Sequence, residues 1–201
     1  MKVTVTDKDG DSGESTYQFV VVYDPSGGFV TGGGWIDSPE GACKFEACTD
    51  NTTGKATFGF VSKYKPGATV PTGNTEFQFR AGNLNFHSDS YDWLVVAGSD
   101  AKYKGVGTTN GGGDYGFMLT GFDADVNPND SHTVDGFRIV IWDKADGDRV
   151  VYDNLASPDI VEDDYHTQPI AGGSMGVFAY PLEKVHLGRQ SAGVIWTCAN
   201  S

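Results

Sequence analysis

Short runs of alternating apolar and polar residues, broken by clusters of Gly, Asn and Asp, constrain this chain more than any other feature. A period of two puts the apolar side chains on one side of an extended strand and cannot build the stripe a helix buries. Val3 and Val5, then Tyr17, Phe19 and Val21, follow it, as do Phe77 and Phe79, and Leu84 and Phe86. Strands are expected near 2–6, 15–23, 29–36, 55–64, 75–81, 83–88, 91–97, 101–108, 114–122, 136–142 and 149–153. Turns are expected at Pro71–Asn74, Asn110–Gly113 and Asp143–Gly147, and no segment reads as a helix. So many short strands imply an all-β fold, an antiparallel β-sandwich or flattened β-barrel of about ten strands.

A length of 201 residues suits one large domain or one and a half small ones, and 38% hydrophobic residues permit a core. No apolar run is long enough to span a membrane as a helix. The net charge of -13 repels nucleic-acid phosphates and anionic membranes, which excludes both as main partners. It suits cations and neutral partners such as glycans. Cys43 and Cys48 are expected to form a local disulfide, implying an oxidising compartment; two free thiols are the alternative. Cys198 has no evident partner in the sequence, and no second Cys pair completes a zinc site.

Three groups of residues could carry function. The first is Phe122–Asp130, with oxygen-bearing side chains at Asp123, Asp125, Asn127, Asn129 and Asp130. Calcium takes six to eight oxygen ligands, and alternating carboxylates and amides can wrap it. Asp153 and Asp163 are further candidate ligands; a solvated turn is the plainer alternative. The loop Asp7–Asp11, with Glu14 after it, is similar in kind but also fits a hairpin turn. The second group follows from strand geometry: Glu76, Gln78, Arg80, Asn85 and His87 would share one polar sheet face if their strands are neighbours. His87, Glu76, Arg80 and His132 are the candidate catalytic residues there. In that mechanism calcium polarises a carbonyl or phosphoryl oxygen and a histidine acts as base. No Gly-x-Ser-x-Gly elbow supports a serine triad, and the spacing of His87, His132 and His166 fits no zinc motif. The third group is aromatic: Trp142, Tyr91 and Tyr103 are candidate ligand-binding platforms, with Trp142 on the face opposite Phe137, Ile139 and Ile141 and so either exposed or covered by another sheet.

Val3–Asp11 through Phe19–Val22 resembles the last hairpin of a PKD-type repeat, an immunoglobulin-like module of secreted and surface proteins. Phe29–Ile36, Gly54–Ser62, Thr75–Phe79, Leu84–His87, Tyr91–Val96, Tyr115–Thr120, Phe137–Asp143 and Val151–Asn154 resemble a Gly-Gly-Gly-Trp β-domain that often follows such repeats in bacterial proteins. The resemblance implies a truncated hairpin at 1–24, a β-domain at 29–174, an atypical tail at 175–201, and a secreted or cell-surface setting. The chain then reads as a segment of a larger secreted protein, without a signal peptide in this segment. The expected function is a calcium-stabilised extracellular module for binding or adhesion to a glycan or surface partner. The alternatives are a calcium-dependent hydrolase of esters, lactones or phosphoesters around His87, and a structural spacer.

Overall fold

The computed structural model describes residues 2–6, 12–16, 28–126, 133–156 and 165–179, the first two segments as backbone. β1 (Lys2–Thr6) and β2 (Ser12–Thr16) form a two-stranded antiparallel hairpin. The main sheet contains β3 (Gly28–Ser38), β4 (Gly54–Lys63), β5 (Thr72–Phe79), β6 (Leu84–Ala97) and β7 (Asp100–Thr109). It continues with β8 (Gly112–Phe122), β9 (Gly136–Asp143), β10 (Arg149–Asp153), β11 (Gln168–Pro169) and β12 (Gly172–Ala179). The spatial order is β10-β9-β8-β7-β6-β5-β4-β3-β12, with β11 on β9. Every pairing is antiparallel. The fold is all-β, as the alternation implies.

The sheet curls so that its two halves face one another across an aromatic core. Phe58 on β4 stacks on Phe137 of β9 with centroids 3.9 Å apart, and Phe77 on β5 meets Tyr152 of β10 at 4.7 Å. Each such fully buried side chain is worth roughly 1.5–3 kcal/mol over its exposed state. The alternation does the sorting: Phe77 and Phe79 point inward and are fully buried, while Glu76 and Gln78, which alternate with them, point out.

Several elements differ from the sequence expectation: β2 starts at Ser12, ahead of the strand expected from 15, and β11 was not expected. The two strands expected at 83–88 and 91–97 are one, β6; register shifts between Ser88 and Ser90 and between Tyr91 and Trp93 break the period without ending the strand. The turn expected at Pro71–Asn74 is instead the start of β5, because Thr72, Gly73 and Asn74 pair with Lys63, Ser62 and Val61. The sheet also continues through β12 to Ala179, beyond the boundary expected at 174.

Side chains complete the hydrogen bonding where strands change partners. Asn154, just after β10, accepts from Ile139 N (2.7 Å) and donates to Phe137 O (2.9 Å), standing in for a strand between β10 and β11 on the edge of β9. The chain then crosses to β3: Ile170 N donates to Asp135 O and Ala171 N to Trp35 O, both at 2.9 Å. Along β12, the N–H groups of Met175 and Val177 donate to carboxylates, Asp135 Oδ2 (2.8 Å) and Asp123 Oδ2 (2.9 Å). Two acids therefore occupy donors that would otherwise be open on this strand. The loop after β3 is fastened to β10 by Lys44 N to Val151 O (2.8 Å) and Asp153 N to Ala42 O (2.9 Å). Within that loop Cys43 and Cys48 are disulfide-bonded, as expected from their spacing.

Candidate functional site

The register places one outward row across the sheet: Ser174 on β12, Gly33 on β3, Gly59 on β4, Glu76 on β5, His87 on β6 and Thr108 on β7. Beside it runs a second row, Trp35, Thr57, Gln78 and Asn85; on the other side stand Thr31, Val61 and Asn74. Because the middle row begins with a serine and two glycines, it leaves an open trench floor across β12, β3 and β4, and the Glu76 and His87 side chains stand up from the same row at its β5–β6 end. Packing does not require either glycine. A Cβ on Gly59 would meet nothing within 4 Å, and one on Gly33 only a carbonyl oxygen at 3.7 Å. Their lack of side chains keeps the trench open.

Two concavities lie along this row. One, about 260 Å³, sits over Gly59 and is bounded by Thr57, Glu76, Gln78 and Asn85. The other, about 520 Å³, sits over Gly33 and is bounded by Thr31, Ser174, Gly176, Asp125 and Phe178. Phe178 is 47% exposed and stacks on Phe29 with centroids 4.4 Å apart. At the opposite end Glu76 Oε1 lies 2.5 Å from His87 Nδ1, with both side chains half exposed. Arg80 Nε donates to Gln78 Oε1 (3.2 Å), and Lys55 Nζ sits 4.3 Å above the Trp35 ring. The face thus offers carboxylate, imidazole, amide and hydroxyl groups, which together can both donate to and accept from a polar ligand.

Of the residues singled out from sequence, Glu76, Gln78, Asn85 and His87 are brought together on this face, with Arg80 at its border. Gly33, Gly59 and Thr57 belong to the same site and were missed. The available signal was a glycine at the outward position between the inward Phe58 and Phe60, on an interior strand. The aromatic candidates need correction. Tyr103 is fully buried and Tyr91 is 4% exposed; both hydroxyls bond Thr75 Oγ1, at 2.7 and 2.9 Å. Burial pushes both phenols above their ordinary pKa. Trp142 does point away from the core, as the period implies, but it is covered, packing with Met118 and Val140.

Asp123 is buried. Its Oδ1 accepts Asp125 N (3.0 Å) and its Oδ2 accepts Val177 N, so its carboxylate secures the end of β8 to β12. Asp153 forms a two-point pair with Arg138, Nε to Oδ1 at 3.1 Å and Nη2 to Oδ2 at 2.8 Å. These bonds engage both carboxylates with the protein's own donors. Asp125 is exposed. Among the described residues no group of three or more His, Cys, Asp or Glu is gathered to hold a metal. Asn127, Asn129, Asp130, His132 and Asp163 lie outside the described residues. Among the described residues no helix is long and apolar enough to cross a membrane.

No family model matches this chain, and neither a curated protein nor a solved structure matches it.

Proposed function

We propose that the protein is an extracellular binding or adhesion module whose ligand lies in the trench across β12, β3, β4, β5 and β6. The observation that carries this reading is the pair of outward glycines, Gly33 and Gly59, at positions where side chains would fit. Glycine weakens a strand interior. Its presence at two neighbouring outward positions, beside a carboxylate–imidazole pair, is accounted for by a ligand that needs the space. The Cys43–Cys48 disulfide supports an oxidising compartment, and the resemblance to PKD-associated domains supports the secreted setting. Calcium enters the reading only as a stabiliser of the loop after β8, with Asp125 as its described candidate ligand; no step of recognition passes through the ion. Melting curves with and without a chelator test that part.

The test of the main reading is Gly59→Val. The variant folds, and it no longer binds the surface component or glycan that the wild type retains. Undiminished binding would overturn the reading.

A second reading is favoured by the Glu76–His87 contact. With Nδ1 donated to Glu76, Nε2 of His87 is left to take a proton from water attacking an ester or lactone carbonyl. His87→Ala would then abolish ester turnover while leaving the fold intact. No turnover by the wild type on a panel of simple esters removes this reading. A structural spacer is the account left if neither binding nor turnover is found.

A further inference from the structure

We infer that the trench takes a linear, uncharged polysaccharide laid across the strands; this rests on the binding reading above. The argument begins with length. From Ser174 on β12 to His87 on β6 the row crosses adjacent strands throughout, about 19 Å at the usual inter-strand spacing. A single sugar ring or a small ester would occupy only part of it, whereas an extended chain of about four sugar rings spans it, lying over the glycine floor and ending against Glu76 and His87, at about one ring per strand spacing.

The chemistry of the walls points the same way. Glu76, Gln78, Asn85 and His87 combine acceptors with donors, which suits hydroxyl groups that do both. At the other end the exposed ring of Phe178 provides an apolar face for the C–H side of a sugar.

Charge disfavours a polyanion. The chain carries -13, and of the three described cations on this face two are engaged, Lys55 over Trp35 and Arg80 on Gln78, with Lys63 beside Phe29 as the third. An extended peptide is disfavoured because peptides recognised by sheets add to a free strand edge. Here β3, β4, β5 and β6 are each paired on both sides, and on the outer edge of β12 the N–H groups of Met175 and Val177 are taken by Asp135 and Asp123, leaving side chains, and not a row of backbone donors, to meet the ligand.

The experiment uses the full chain and β-1,4-linked glucose, mannose and N-acetylglucosamine oligosaccharides of about two to about six units, a range chosen to bracket the trench length. Affinity is measured by calorimetry, with Gly59→Val and a sulfated polysaccharide as controls. For at least one series, affinity should rise about tenfold or more from the shortest member to about four units and then level off. Gly59→Val should lower it about tenfold or more at an unchanged melting temperature. Affinity independent of length but abolished by Gly59→Val would overturn the extended chain and leave the binding face standing. Preference for the sulfated polysaccharide, again blocked by Gly59→Val, would overturn the uncharged ligand alone. Binding indifferent to Gly59→Val, or none to any probe, would overturn the inference; only the first of these also removes the trench as the binding face.

Discussion

The outer side of the curled sheet has two halves that meet opposite fates. Across β7, β8 and β9 the outward residues Lys102, Thr120 and Arg138 stand in one row, and all are at most 2% exposed. Lys102 Nζ lies 4.4 Å from the centre of the Tyr165 ring, Arg138 grips Asp153, and the Trp142 ring lies against Gly116. Across β3 and β4 the corresponding outward positions hold Gly33 and Gly59 and lie open. Both halves obey the same alternation. What separates them is whether the outward side chains find cover and partners. Glycine also plays opposite parts at two positions: Gly116 makes room for the Trp142 ring, and Gly59 leaves the room empty.

Substitutions that exploit this contrast rank as follows. Arg138→Ala should cost most, about 3–5 kcal/mol in urea unfolding, because it strips a buried carboxylate of its cation. A loss below about 1 kcal/mol would mean that the covered half does not depend on the pair. Gly116→Val should cost about 1–3 kcal/mol, since a Cβ there would come 2.1 Å from the Trp142 ring. Asp123→Ala, which leaves Val177 N–H without its acceptor at the join between the halves, should cost a similar ~1–3 kcal/mol. A chelator that lowered the wild-type melting temperature as much as this substitution does would show that the loop is held by an ion as well as by hydrogen bonds. Glu76→Gln should shift stability by less than about 1 kcal/mol, because the Glu76–His87 pair is half exposed and screened. Gly59→Val should be nearly neutral, within about 0.5 kcal/mol, yet remove binding. Finding Gly59→Val as damaging to the fold as Gly116→Val would erase the distinction between the two halves.

Much of the open face was legible in the sequence because it is a consequence of period two. Once Phe77, Phe79, Leu84 and Phe86 are read as inward, Glu76, Gln78, Asn85 and His87 must point out together, provided the two strands are neighbours. The pairing of Cys43 with Cys48 was legible for a similar local reason: a separation of five lets the two residues meet, with their Cα atoms 5.8 Å apart. Tyr91 and Tyr103 misled because a phenol can be satisfied inside a core by one shared hydroxyl, here Thr75, and composition cannot reveal that partner. Trp142 misled differently. Its outward direction was right, but it is covered, by Val140 on its own strand and by Met118 on β8.

By itself, then, the sequence determined the class of fold, the inward and outward identity of most strand residues, and the local disulfide, since each depends on neighbours close in the chain. Tertiary structure alone decided that Ser174, Gly33, Gly59, Glu76 and His87 line up, because alignment across five strands is set by register, and register depends on pairings between distant segments. It also decided which donors Asp123 and Asp153 meet, the Val177 N–H on β12 and the Arg138 guanidinium. A carboxylate takes the strongest donors the fold brings to it, and those donors lie as many as 54 residues away.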